Sequence, residues 1–362
     1  MKLDQKLLRI MAIIAGVFII IVLVVVIITT INKNKKLERH EFEERVENLA
    51  RVYYRNNEDK LPDIGDTVSI PLQHFIDNKS LRHNVLKTGE TCYGEVEVTN
   101  NNGYYLVLPN ITCDEEKPIR LHELLTKEEN IVTSSHGLYK YNDTYIYRGE
   151  VWNNYIAFAD KIWAILRINA DGTIRMMDTE KNIRTVWDNR FNLTEQKASG
   201  INDFIQGDIN SRIKDTLEWY YYDDNYLTHE EKAYLVPQDL CVGKRSLSDY
   251  GSDGSIECSE IIPDQMLGLI QANEFMLASL DEHCYYPYSA PCTNYNYLSS
   301  VANSTWSITA DSTNTFKALR ITGGITSTNC TNSVPIKMIA HLTNKAIYVS
   351  GTGTWNDPYV IK

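Results

Sequence analysis

The sequence predicts an α+β protein carried on an N-terminal membrane anchor, and three stretches support that expectation. Residues 10–31 hold no charge, residues 36–57 repeat apolar side chains at helical spacing, and residues 92–113 read as a β-hairpin closed by a disulfide. The expected organisation is a cytoplasmic end and transmembrane helix over 1–34 and a stalk helix over 35–57. A small α+β domain over 58–135 and a larger α+β domain over 145–362 follow.

The anchor run, Ile10 to Ile31, extends roughly 33 Å at the helical rise of about 1.5 Å per residue, which matches a hydrocarbon core of about 30 Å. It is longer than the apolar region of a cleavable signal peptide, and it ends in Thr29, Thr30, Ile31 and Asn32 rather than an A-x-A-like site. The segment is therefore expected to stay attached. Lys2, Lys6 and Arg9 precede it while Lys33, Lys35, Lys36 and Arg39 follow, so charge alone does not orient it. The cysteines point to an oxidising exterior, which places residues 37–362 outside the membrane.

Composition narrows the partners. The 362 residues carry a net charge of −11, and Lys2, Lys6, Arg9, Lys33, Lys35 and Lys36 all lie at the anchor, so the exterior is more acidic still. Phosphate binding needs Lys and Arg, which excludes nucleic acid as the expected partner. Tyr (23) far exceeds Phe (8), the balance expected where aromatic area meets water.

In the stalk, Phe42, Val46, Leu49 and Tyr53 fall on one helical face. The helix should stop at LPDIG (61–65), where Pro62 disfavours helical geometry for Leu61 and Gly65 supplies a turn. TVSIPL then alternates as a short strand. Asn102-Gly103 is the preferred pair for a two-residue type I′ turn, with strand-like sequence on both sides. In that register Cys92 opposes Cys113 at a non-hydrogen-bonded position, where Cα atoms approach to about 4.5 Å, within disulfide range. Val96, Val98, Val107 and Ile111 share the cysteine face. Tyr93, Glu95, Glu97, Thr99, Asn110 and Thr112 point the other way.

An apolar helix running into an amphipathic one, then YYRNNEDKLPDIG, then a Cys-flanked hairpin, resembles the pilin and pseudopilin architecture of bacterial surface filaments. The likeness covers residues 10–115 and implies a structural component of a surface or secretion apparatus. It departs from the family at the processing motif, because Gly16-Val17-Phe18 is followed by no Glu within the apolar helix.

Further on, Asp171-Gly172 reads as a hairpin turn, residues 203–235 as two helices, and Thr228 with Glu231 as a capping box opening the second. The tail GTGTWNDPYVIK reads as a turn and closing strand. The segments NNYIAF (153–158), KIWAILRINADGTI (161–174), the helix at Leu217–Tyr222 with THEEKAYL, Trp306-Ser307-Ile308-Thr309 and GTGTWNDPYVI together resemble a domain of membrane-anchored surface proteins from Gram-positive-type bacteria. That resemblance covers 145–362 and implies a C-type-lectin-like fold, shared with formylglycine-generating enzymes. It implies a location and a fold rather than a reaction.

No catalytic signature is present. His229-Glu230 is followed by Glu-Lys-Ala rather than completing HExxH, Gly351-x-Gly353 lacks a third Gly, and no G-x-S-x-G occurs. An enzyme would have to gather distant residues around a pair such as Asp281 and His283. Seven cysteines leave one unpaired: Cys92 with Cys113, Cys241 with Cys258 and Cys284 with Cys292 are assigned, leaving Cys330, and spacing fixes only the first pair. Cys284 and Cys292, around YYPYSAP, read as a loop staple. DYGSDGSIECSE (249–260) reads most plainly as an acidic turn held by Cys241 and Cys258, but it also meets an EF-hand-like spacing at Asp249, Asp253, Gly254 and Glu260, with Glu257 as a further carboxylate, which makes Ca2+ the one cofactor to consider. Gly251 stands where a ligand belongs. Trp355-Asn356-Asp357 spells the WND of sugar-binding C-type lectins without the EPN or QPD motif that accompanies it there. In Trp219–Tyr222, helical spacing assigns about half the cluster to the core. The expected function is a non-catalytic extracellular module, anchored in the cell membrane, that presents its second domain to a glycan or surface-protein ligand through exposed tyrosines or Trp355.

Overall fold

The computed structural model describes residues 36–82, 85–180, 183–190 and 200–362. The anchor expected over 10–31 lies outside them, and no helix among the described residues is long and apolar enough to cross a membrane. The described chain is α+β with strands predominating. It forms two compact units, one from residues 36–60, 69–97 and 107–117, the other from 61–68, 98–106 and 118–362.

In the first unit the stalk helix spans Arg39–Arg55 and is opened by Glu41, whose carboxylate accepts from the Glu38 amide at 2.9 Å. It begins later than the expected residue 35, because Leu37 is extended and bridges Leu86, with Leu37 N donating to Val85 O at 2.9 Å. Its buried row is Phe42, Val46, Ala50 and Tyr54 rather than the expected Phe42, Val46, Leu49 and Tyr53. Steps of four residues wind slowly round the helix, and small Ala50 lets the packed neighbours approach closely.

Strands β1 (Thr67–Pro71), β2 (Cys92–Asn101) and β3 (Tyr104–Cys113) form one sheet in the order β1-β2-β3. Asn102 and Gly103 take φ of 53° and 90°, the left-handed values that a type I′ turn requires at both central residues. The Gly103 amide donates to Asn100 Oδ1 at 2.8 Å. At the open end, Cys92 and Cys113 are joined with Cα atoms 4.1 Å apart. Val96, Val98, Val107 and Ile111 are buried. Thr99 is buried as well, against the alternation, because β1 lies beside it and Thr67 Oγ1 meets its hydroxyl at 2.9 Å.

The second unit is built on an antiparallel sheet. β4 (Gly137–Tyr141), β5 (Thr144–Arg148), β6 (Tyr155–Phe158), β7 (Lys161–Ile168) and β8 (Ile174–Asp178) are followed by β9 (Arg184–Thr185), β10 (Ile205–Gln206) and β11 (Ile209–Asn210). Next come β12 (Gln238–Cys241), β13 (Ile261–Gln265), β14 (Leu267–Gly268), β15 (Thr305–Ala310), β16 (Lys317–Ile321) and β17 (Ile325–Asn329). β18 (Val334–Pro335), β19 (Ile339–Leu342), β20 (Tyr348–Ser350) and β21 (Val360–Ile361) complete the chain. The main sheet has seven strands in the order β14-β19-β8-β7-β5-β4, with β6 added on β7, while β15-β16-β17 make a separate sheet and β20 pairs β21.

Its core is a single cluster that includes Trp163, Trp187 and Trp306, all fully buried. Each indole donates to a backbone carbonyl, Trp163 to Phe158 O at 2.9 Å, Trp187 to Ser307 O at 3.2 Å and Trp306 to Thr185 O at 3.1 Å, so burial leaves no indole N–H unpaired. The helix Arg212–Tyr222 buries Ile213, Leu217 and Tyr221 while Trp219 and Tyr222 are exposed. Thr228 and Glu231 form the reciprocal cap of the helix His229–Lys232. Asp171-Gly172 lies inside a longer connection between β7 and β8, because Asp171 Oδ1 captures the Thr173 amide at 2.9 Å and Asn169 N pairs with Thr173 O.

Candidate functional site

The segment between β12 and β13 wraps a buried arginine. Arg245 is fully buried; its Nε and Nη2 donate to Glu257 Oε1 and Oε2 at 2.7 and 2.8 Å, and its Nη1 donates to Gly251 O at 2.8 Å. Glu257, equally buried, also accepts from the Asn273 amide at 3.0 Å. The disulfide Cys241–Cys258 closes the same segment, and the Arg245 amide is tied to Ala310 O at 2.9 Å. Gly251 takes φ of +90°, which only glycine adopts freely, and its amide donates to Tyr285 O at 2.9 Å. The guanidinium thus fixes Gly251, and Gly251 holds Tyr285.

Tyr285 belongs to a second stapled loop. Cys284 and Cys292 are bonded, Asn296 Nδ2 donates to Cys292 O at 2.7 Å, and Ser279 Oγ donates to Asn294 O at 2.8 Å. Asp281 takes Asn294 Nδ2 at 2.7 Å and the His283 amide at 2.9 Å, and these hydrogen bonds hold its carboxyl below the usual carboxylate range. The two loops bring four tyrosines together. Tyr250 stacks on Tyr285 with centroids 5.5 Å apart and meets Tyr286 edge-on at 5.6 Å, while Tyr286 stacks on Tyr288 at 5.7 Å. Tyr250 is 67% exposed and Tyr288 60%, so the cluster is a surface and not a core. Pro287, between Tyr286 and Tyr288, is buried.

The carboxylates singled out for calcium do not converge. Glu257 is committed to Arg245. Asp249 accepts from the Ser246 amide at 2.7 Å, Asp253 accepts from Ser255 N and Oγ at 3.1 and 2.9 Å, and Glu260 is exposed. Among the described residues no group of three or more His, Cys, Asp or Glu could hold a metal ion. The donor set does not fit Ca2+, and the cation at the centre of this loop is the Arg245 guanidinium. In the WND tripeptide, Asp357 Oδ2 is taken by Thr352 N and Oγ1 at 3.0 and 2.9 Å.

His283 is exposed beside Asp281 at 3.3 Å, whereas the Ser279 hydroxyl is buried and donates to carbonyls. Cys330 is the free cysteine; it is fully buried, and burial pushes its thiol pKa far up, which makes it unreactive. No family model, curated protein or solved structure matches the chain.

Tyr285-Tyr286-Pro287-Tyr288 inside a short Cys-closed loop was the signal for the aromatic surface, since so small a loop has no interior to hide rings. Arg245 had no such signal, because nothing in a lone arginine says which carboxylate it will meet.

Proposed function

We propose that this protein is a membrane-anchored extracellular recognition module whose binding surface is the Tyr250, Tyr285, Tyr286 and Tyr288 platform, offered to a glycan or to a surface protein. The observation that carries the reading is the combination of exposed, mutually packed rings with two disulfide-stapled loops. Tyrosine supplies large amphipathic contact area at low side-chain entropy cost, and loops held by Cys241–Cys258, Cys284–Cys292 and the Arg245–Glu257 pair are ordered before a ligand arrives. The aromatic faces suit apolar contact, and each hydroxyl adds a donor and an acceptor at the rim.

The experiment is the full chain in detergent applied to glycan and bacterial surface-protein arrays, beside Tyr250→Ala and Tyr288→Ala. Binding that both variants lose supports the module. Absence of binding, with oligomers recovered from the membrane instead, favours the pilin-like structural role. Proteinase added outside intact cells should shed the exterior part, and full protection would overturn the topology.

A further inference from the structure

The turn between β2 and β3 carries the one Asn-Gly pair of the sequence, Asn102-Gly103. An asparagine followed by glycine is the pair most open to attack on its carboxamide by the next backbone nitrogen, because glycine has no Cβ to crowd the five-membered ring that forms. Here a Cβ at Gly103 would meet nothing within 4 Å, and both residues are exposed. The chemistry is sterically available to the folded chain.

Two features of the fold hold it back. The Gly103 amide, whose nitrogen is the nucleophile, donates to Asn100 Oδ1 at 2.8 Å. Asn100 is buried and tied on its other sides: its Nδ2 donates to Pro62 O at 2.9 Å, its amide to Asp66 O at 3.1 Å, and its carbonyl accepts from Gly65 N at 2.8 Å. The acceptor is thus fixed independently of the turn it serves. Asn102 itself takes left-handed backbone at φ of 53°, between two paired strands that restrain the rotation carrying the nitrogen onto its side-chain carbonyl carbon.

We propose that Asn102 is a self-modification site, which converts to aspartate and isoaspartate whenever Asn100 releases the Gly103 amide. The Gly103 nitrogen gives its proton to solvent base and bonds to Asn102 Cγ, while the Cγ–Nδ2 bond breaks and Nδ2 leaves as ammonia. A solvent water then opens the succinimide at either carbonyl, giving one product or the other. Both put a carboxylate where a neutral amide stood. Asn102 lines a recess of about 100 Å³ with Lys214, Glu218, Tyr221, Tyr222 and Asp264, so the new charge joins those of Glu218 and Asp264 in one lining. Isoaspartate also adds a backbone carbon to a loop whose type depends on two residues. The modification thus records how long the hairpin stays open. It uses none of the platform tyrosines, and it stands whether or not they bind a ligand.

The test is a time course of the full chain in detergent at mildly alkaline pH, with aspartate and isoaspartate at residue 102 quantified by peptide mapping. The urea-unfolded parent should convert fastest and the folded parent slowest. Asn100→Ala should speed conversion of the folded chain by about tenfold, the factor that one net hydrogen bond gives. Asn100→Asp keeps an oxygen acceptor for the Gly103 amide and should restore protection, which a general loosening of the hairpin would not do. No conversion in the unfolded parent, equal rates in folded and unfolded parent, or an unchanged rate in Asn100→Ala overturns the proposal. Conversion of Asn100→Asp as fast as Asn100→Ala also overturns it, because the acceptor oxygen is then not the guard.

Discussion

Arg245 and Glu257 are both fully buried and face each other through two parallel hydrogen bonds of 2.7 and 2.8 Å, so an ion pair forms the centre of a loop whose acidic spacing suggests a metal. Removing one member leaves the other charged and dry. Arg245→Ala should cost about 3–5 kcal/mol, read from urea denaturation, and should release Gly251 and with it Tyr285. The double variant Arg245→Met with Glu257→Leu should lose much less, because it removes both charges and keeps the volume. If Arg245→Ala costs less than the double variant, the guanidinium is not what organises the loop.

Cys92 and Cys113 close a loop with a sequence separation of 21. In the entropic account such a cross-link destabilises the unfolded chain, and replacing both cysteines by serine should cost about 3 kcal/mol. Urea midpoints of the variant and of the oxidised parent measure it, and non-reducing peptide mapping of protein isolated from its native cells should recover Cys92 and Cys113 in one linked pair. A free thiol at either position would remove the argument for an oxidising compartment.

At the β6 to β7 turn, Ala159 has φ of 53°. A side chain in left-handed backbone costs roughly 1–2 kcal/mol, and glycine removes that cost while adding about 0.4–1 kcal/mol of unfolded-chain entropy. Ala159→Gly should therefore stabilise by roughly 0.5 kcal/mol net. Ala159→Val should destabilise, since branching at Cβ worsens the same clash. Thermal midpoints of the two variants should move in opposite directions.

What could be read from the chain beforehand follows the range of the physics involved. The hairpin was legible because Asn102-Gly103, the alternation of Val96 and Val98, and the opposed Cys92 and Cys113 are separate local signals that agree. The Thr228–Glu231 cap was legible for the same reason, being fixed within one helical turn. The Ala159-Asp160 turn was not, because alanine, unlike aspartate, disfavours left-handed backbone and the pairing of Phe158 with Lys161 imposes it. In the 249–260 loop, spacing shows where carboxylates fall in sequence and not which way they face, so the turn held by Cys241 and Cys258 was legible and the inward carboxylate was not. Glu257 turned inward to Arg245, a partner no local rule would select. The stalk face shifted from Leu49 and Tyr53 to Ala50 and Tyr54 because packing, which the helical period does not specify, chose the row.

His341 stands opposite Arg175 on the neighbouring strand β8, with Nε2 3.4 Å from Arg175 Nη1, and it is 3% exposed. Burial first, then the positive charges of Arg175 and Arg167, lower its pKa well below the ordinary value. Glu274, bound to Arg175 through two hydrogen bonds, is the carboxylate of the same cluster, and the arginines take up its charge. The folded chain therefore keeps His341 neutral at pH values where the unfolded chain has already bound a proton. Stability from this group is fully present above the unfolded pKa of about 6.5 and is lost as pH falls below it, by up to about 1.4 kcal/mol per pH unit, until the folded pKa is reached. His122, half-buried and also lowered by burial, acts in the same direction, so one variant removes part of the slope. Urea midpoints between pH 7 and pH 5 should fall steeply in the parent and less steeply in His341→Gln. An unchanged slope in that variant would show that His341 is not held neutral by the fold.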